Sequence, residues 1–383
     1  MKKNYLIILM FLSFIGCFAQ VSSYTFSQSN GVYQEITGTS IWTATANTSS
    51  GNFDTQQSNV SVPFTFIFNG ANFTTVNVNS NGSVIFPGST ATSTTNTPIS
   101  STTAYAGAVS GWGRDINGAF APSLVSSVSH GVIGTAPNRT FIVQYKNVRP
   151  TNSTSATAIN LINFQIHLQE TSNIIKIVYG PSLTFLGTTV ASGTAQIGLR
   201  GATNTDFNNR LNSTSQNFNS SILGTSASSG QAFSTSSTSV QGMPNNGLTY
   251  TYTPPPPCNG SPNVGVLSIN SQILCVNTTP RPISVTNGNL GFSNITYQWE
   301  ESDDNGVSDA WANVVGGAGA TTLSYSPPTF AGTTDIYYRL KVTCVTSTQV
   351  TYSAVHKIYT SGVVDPIRTL TSSNLYDNGL NFN

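Results

Sequence analysis

The run from residue 140 to residue 180 constrains the fold more than any other part of the sequence. Phe141, Val143 and Tyr145 alternate with Ile142, Gln144 and Lys146. After a hydroxyl-rich stretch, Ile162, Phe164, Ile166 and Leu168 alternate with Asn163, Gln165, His167 and Gln169. Successive side chains of a strand point to opposite faces, so this period of two predicts antiparallel strands with one buried face and one wet face. Residues 170–173 make a short loop, and Ile175, Ile177 and Tyr179 return along the same sheet as a hairpin.

The same grammar runs through most of the chain. Val62-Pro63-Phe64-Thr65-Phe66-Ile67-Phe68 sets three phenylalanines on one face, Asn69-Gly70 turns the chain, and Val76 and Val78 follow. Ser80-Asn81-Gly82 is a second turn before Val84-Ile85-Phe86. Residues 90–103 read as a polar loop, 195–199 as a strand, 213–239 as Ser/Thr/Asn-rich loops around brief strands, and 248–252 as the closing strand. The 33 glycines and 18 prolines argue against long helices. The expectation is an all-β chain. Residues 20–253 form a large antiparallel β-sandwich (jelly-roll-like), and residues 254–262 form a Pro-rich linker opened by four prolines. A smaller Ig-like β-sandwich spans 263–360, with Trp299 on one strand and a Tyr-rich strand about forty residues later. Residues 361–383 read as a linker or the start of a further module.

Charge narrows the classes of partner. Only 7% of residues are charged and the formal net charge is +1, against roughly 25% charged residues in an ordinary soluble protein. Such a surface has no electrostatic footprint for nucleic acid or an anionic membrane. Lys2 and Lys3 precede an apolar run over residues 6–18 that is too short to span a bilayer. Residues 1–19 therefore read as a secretory signal peptide, cut before Gln20. Phe14-Ile15-Gly16 ahead of Cys17 fits a lipoprotein signal poorly, so an unlipidated mature chain is expected.

No motif predicts catalysis. His130, His167 and His356 are far apart, no G-x-S-x-G elbow occurs, and Asp115 and Glu170 are not paired as an acid and base. No C-x-x-C pair suggests zinc, and Asp303-Asp304-Asn305-Gly306 is a turn signal without EF-hand spacing, so neither a metal nor a cofactor is expected. Gly111-Trp112-Gly113-Arg114-Asp115 begins like a phosphate loop but lacks the third glycine. It reads as a strand-connecting loop whose indole is either folded onto the sandwich or offered as a stacking platform, with Arg114 and Asp115 as polar neighbours. If the large domain binds a ligand, Trp112, Arg114 and Asp115 are expected to take part. The competing surface is the polar face of the central strands, with Gln165 and His167 among Gln144, Lys146, Asn163 and Gln169.

Gly134-Thr135-Ala136-Pro137-Asn138-Arg139 leading into 141–148, then 164–171 and Ile177-Val178-Tyr179-Gly180, resembles a β-sandwich module of bacterial type IX-secreted surface proteins. Residues 265 onward, through Tyr297-Gln298-Trp299 to Tyr338-Arg339 and Val342-Thr343-Cys344, resemble the Ig-like modules of the same proteins. The resemblance implies dealings with a secretion machinery, a secreted or cell-surface location, and a carboxy-terminal sorting domain that the residues up to Asn383 do not display. In an Ig-like topology Cys258, before the first strand, and Cys344, at the end of the sixth, lie at the same end, so the expected disulfide is Cys258–Cys344 with Cys275 free. The function expected is non-enzymatic adhesion or recognition of an extracellular glycan or protein ligand through the large sandwich, the Ig-like domain serving as spacer. The alternative is a carbohydrate-binding accessory part of a secreted polysaccharide hydrolase whose catalytic domain lies outside this chain.

Overall fold

A computed structural model describes residues 20–360 except 45–52, 89–94, 119–124, 151–160, 183–191, 213–216, 235–241, 287, 289–291 and 333. The expected signal peptide and the segment 361–383 lie outside the described residues. The chain divides into two compact units that meet in sequence at Pro257 and Cys258, and both are built almost wholly of strands.

The large unit is a sandwich of two sheets around one core. The first sheet runs in the order Thr25–Asn30, Leu248–Thr253, Ile175–Tyr179, Ile162–Gln169, Thr140–Pro150, Ser126–Ile133, Thr39–Ala44. The second runs Ile222–Leu223, Phe207–Leu211, Ser192–Arg200, Gly107–Gly113, Ser83–Phe86, Ala71–Asn79, Gln57–Phe68, with Gln231–Ser234 added beside Ser192–Arg200. Each sheet holds a meander of four consecutive strands, and the strand pairs described in this unit are antiparallel. The first and last strands pair with each other, Thr25 opposite Thr253, which ties the two ends of the domain together.

The alternation of the central strands is realised. Phe141, Val143, Tyr145, Phe164, Ile166, Leu168, Ile175, Ile177 and Tyr179 are all buried in the inter-sheet core, and Phe64, Phe66 and Phe68 face them from the other sheet's edge strand. Tyr145 and Phe164 stack with ring centroids 4.5 Å apart. Their sheet is fastened to its partner by polar contacts as well. The Tyr145 hydroxyl donates at 2.7 Å to Asn79 O and lies 3.0 Å from Ser83 O, and the Tyr179 hydroxyl donates to Gly111 O at 3.0 Å. Burial holds both phenols well above their ordinary pKa, so they remain donors.

Two expectations are corrected here. The outer face of the central strands is not wet, because Ile142, Gln144, Asn163 and Gln165 are buried. Residues 31–38 cross over that face. Gln144 Oε1 accepts from Ile36 N at 2.9 Å, Gln165 Nε2 donates to Gln34 O at 2.8 Å, and Lys146 pairs with Glu35 at 2.6 Å. The second correction concerns 111–115. Residues 111–113 belong to a central strand, Gly107–Gly113, and are not a connecting loop. At Gly111 the opposite sheet comes close, since a Cβ there would lie 2.6 Å from the Phe164 ring, while a Cβ at Gly107 would collide with Phe68 of its own sheet.

The smaller unit also has two sheets. One holds Val266–Leu267, Ile283–Thr286 and Ser324–Tyr325; the other runs Ser271–Ile273, His356–Tyr359, Ile336–Cys344, Ile295–Ser302, Ala312–Asn313, with Val350–Tyr352 beside Ile336–Cys344. Ser271–Ile273 pairs with His356–Tyr359 in parallel. Trp299 is fully buried, stacks on Tyr325 at 6.0 Å, and donates its indole N–H to Thr322 O at 2.9 Å. Cys258 and Cys344 form a disulfide, and Cys275 is free and exposed. The bridge closes a span of 86 residues, and a disulfide that restricts the unfolded chain in this way typically contributes a net of roughly 2–4 kcal/mol. Cys258→Ser is therefore expected to destabilise this domain by about that amount while leaving the large domain's transition in place. Urea unfolding followed separately through the two domains measures it; an unchanged midpoint for the small domain would show that the bridge contributes nothing.

Candidate functional site

The two surfaces singled out in the sequence become two pockets of the large domain. The first is a cavity of about 610 Å³ on the outer face of the central sheet, beside residues 31–37. Its lining holds Gln165, His167 and Lys176, with apolar Ile36, Val132 and Ile142 interspersed with polar Gln34, Glu35 and Thr37. Val132 and Ile133, together with Val32, form an exposed apolar rim.

Part of this lining is a hydrogen-bond chain. His167 Nε2 lies 2.8 Å from Gln165 Oε1, and Gln165 Nε2 donates to both Gln34 O and Gln144 Oε1 at 2.8 Å. Since both amide protons of Gln165 go to these acceptors, its oxygen accepts the Nε2 proton of His167. The Gln165 amide is thus fully engaged in fixing residues 31–38, and it shapes the cavity without offering a free polar atom. Burial pushes the His167 imidazole down to about 4, with the neighbouring Lys176 ammonium adding to the shift. At neutral pH His167 is uncharged. Lys176, directly opposite His167 in the hairpin, has no ion-pair or hydrogen-bond partner among the described residues. Lys176 is the group that sequence reasoning missed; its register opposite His167 was the available signal.

The second pocket, of about 420 Å³, is polar and lies on the other sheet. Arg114, Asp115, Asn96, Ser100, Thr194 and Gln196 are among its lining residues. Trp112 is not among them. Its side chain is 0% exposed, stacked parallel on Phe218 at 5.6 Å and packed near Phe233 and Tyr179. The proposal of an exposed indole platform is therefore corrected. The ladder between Gly107–Gly113 and Ser192–Arg200 slips by one residue between the Gly113–Gln196 and Ser110–Gly198 pairs, and Trp112 joins Val109 in the core at this bulge. Arg114 and Asp115 follow it out to the half-buried pocket wall. The fold thus brings Gln165 together with His167, and Arg114 together with Asp115, in separate places.

Other candidate groups are engaged structurally. Glu170 forms a bidentate pair with Arg139 at 2.6 and 2.8 Å and clamps the 170–173 turn. His356 is buried and bonded to Ile269 O and the Gln272 amide. The carboxylates of Asp303, Asp304 and Asp309 lie within 4.8 Å of one another. Asp304 accepts from Ser302, Val307 and Ser308 of its own loop, which holds its carboxyl well below the usual range. No helix among the described residues is long and apolar enough to cross a membrane.

The large domain is an antiparallel β-sandwich with two pockets, one on each sheet. Residues 23–254, more than half of the 383-residue chain, match the family model described as NIDO related, and the chain belongs to that family. Residues 264–361 match a second one, described as Domain of unknown function (DUF8696). No curated protein and no solved structure matches the chain.

Two outcomes follow from this geometry. Trp112→Ala should cost the large domain about 3–5 kcal/mol, as truncation of a buried Trp does. Trp112→Phe should cost far less, because the indole N–H has no partner in the core; equal losses in urea unfolding would contradict that packing. His167 gives a pH signature. Its folded pKa lies below its unfolded one, so the unfolded chain takes up the proton first as pH falls. Stability should be full above about pH 6.5 and decline as pH drops toward about 4. His167→Gln should flatten that decline in thermal unfolding, and identical profiles for variant and wild type would rule out His167 as its source.

Proposed function

We propose that this is a non-enzymatic, exported recognition protein that binds an extracellular glycan or protein ligand through its large sandwich, with the smaller domain as spacer. The observation that carries this reading is the sheet-face cavity of about 610 Å³. It lies within the roughly 300–1,000 Å³ of small-ligand sites, with an apolar rim, a neutral imidazole and the Lys176 amine, which has no partner among the described residues. The apolar residues supply contact area, and Lys176 and His167 supply direction. His167 is bonded to an amide rather than to a nucleophile, which supports binding over hydrolysis. The disulfide and the NIDO-related sandwich support an extracellular setting. The dispersed strand motifs support export of the type IX kind behind a signal peptide, and the sparse charge argues against nucleic acid as a partner.

The test is to screen the mature chain against a glycan array and a set of immobilised surface proteins, then repeat the hits with Lys176→Ala. Binding is expected to fall roughly ten-fold or more, the loss of one charge-assisted contact. Full retention by Lys176→Ala would move the site away from this cavity. Turnover of a bound polysaccharide would refute the non-enzymatic reading.

A further inference from the structure

The polar pocket on the opposite sheet has walls fixed by buried amides. Gln196 Oε1 accepts from Ile99 N and Ser100 N at 2.9 and 3.2 Å, and its Nε2 donates to Ser100 Oγ at 2.7 Å. On the other wall Asn209, 0% exposed, donates to the carbonyls of Ser226, Ala227 and Ser229, which holds the turn carrying Ser228. The pocket is therefore preformed, and a ligand need not order its walls.

Two charged side chains in it are not consumed by this scaffolding. Arg114 makes one hydrogen bond, from Nη1 to Thr194 O at 3.0 Å, and sits 5.2 Å from the centroid of the Phe233 ring. Its Nε is buried and unpartnered, and no carboxylate pairs with it among the described residues. The guanidinium lies against Gly193, where a Cβ would come within 2.6–2.9 Å of it, so the glycine opens the space it occupies. Asp115, its sequence neighbour, accepts no hydrogen bond among the described residues, though the charges are near enough for Asp115 to raise the Arg114 pKa against the larger lowering by burial.

A planar donor with only one hydrogen bond beside an acceptor with none, of opposite charge, presents no net charge to a simple ion. It does match a group that both accepts and donates at adjacent atoms, such as a vicinal diol. Asn96, Thr97 and Ser100 extend the same chemistry along one side. We infer that this pocket binds one neutral sugar unit, with Arg114 donating to and Asp115 accepting from neighbouring hydroxyls. This deepens the glycan arm of the recognition reading at a site separate from the sheet-face cavity, and Lys176→Ala leaves it untouched, so the two can fail independently.

The experiment is saturation-transfer NMR of the mature chain with methyl α-D-glucopyranoside, methyl α-D-mannopyranoside and methyl β-D-galactopyranoside. D-glucuronate and glycine serve as charged comparators. At least one neutral glycoside is expected to bind, with its Kd weakened roughly ten-fold or more by Arg114→Gln and by Asp115→Ala, and unchanged by Lys176→Ala. The Asp115 side chain bonds nothing among the described residues, so Asp115→Ala remains readable if Arg114→Gln disturbs the Phe233 contact. Binding of glucuronate alone, strengthened by Asp115→Ala, would make this an anion site and overturn the inference. Binding of glycine alone, no binding of any neutral glycoside, or full binding by Asp115→Ala would overturn it equally.

Discussion

The large domain depends on how closely its two sheets approach at Gly111. Phe164 enters the space a side chain there would fill, and the Tyr179 hydroxyl reaches the carbonyl of that same glycine. Beside them Tyr145 stacks on Phe164 and bonds two carbonyls of the facing sheet. Aromatic burial supplies the driving force, and the phenol hydroxyls satisfy polar atoms that the close approach would otherwise strand in the core. This arrangement fixes the strand Gly107–Gly113, and with it the point where Arg114 and Asp115 emerge.

Much of this was legible in the sequence because strand alternation is a local signal. Phe141, Val143, Tyr145 and the series from Ile162 to Leu168 point inward as their spacing requires. What the spacing could not reveal was the state of the other face. Gln144 and Gln165 carry the chemistry of solvated residues, yet the backbone that buries them comes from residues 34 and 36, more than a hundred positions earlier. The segment 31–38 has no periodicity to announce it. The glycines around Trp112 misled for a related reason. In sequence they signal a turn, but here they sit inside a strand, where Gly111 makes room for Phe164 of the facing sheet and Gly113 lies close to Ser110, Gln196 and Pro98. Arg114 and Asp115 were identified as polar neighbours of Trp112, and a bulge then separated their environment from that of the indole.

The two pockets differ in the same terms as the faces that bear them. On one, amides of Gln144 and Gln165 fix a crossing segment beside a hollow in which Lys176 has no ion-pair partner among the described residues. On the other, Gln196 and Asn209 fix two turns and leave a cation and an anion side by side. In both, amide side chains hold much of the scaffold, while Lys176 in one and Asp115 in the other have no side-chain partner among the described residues.

That division of labour has a consequence for encounter. Amide hydrogen bonds carry no net charge, so dissolved ions do not screen them, and a chain with 7% charged residues projects almost no field beyond its surface. A partner of the kind proposed would not be drawn in from a distance; it would arrive by unguided diffusion, at the roughly 10⁵–10⁶ M⁻¹s⁻¹ of unsteered association, at a rate that varies little with salt. Selectivity then rests on how long a partner stays once it has touched.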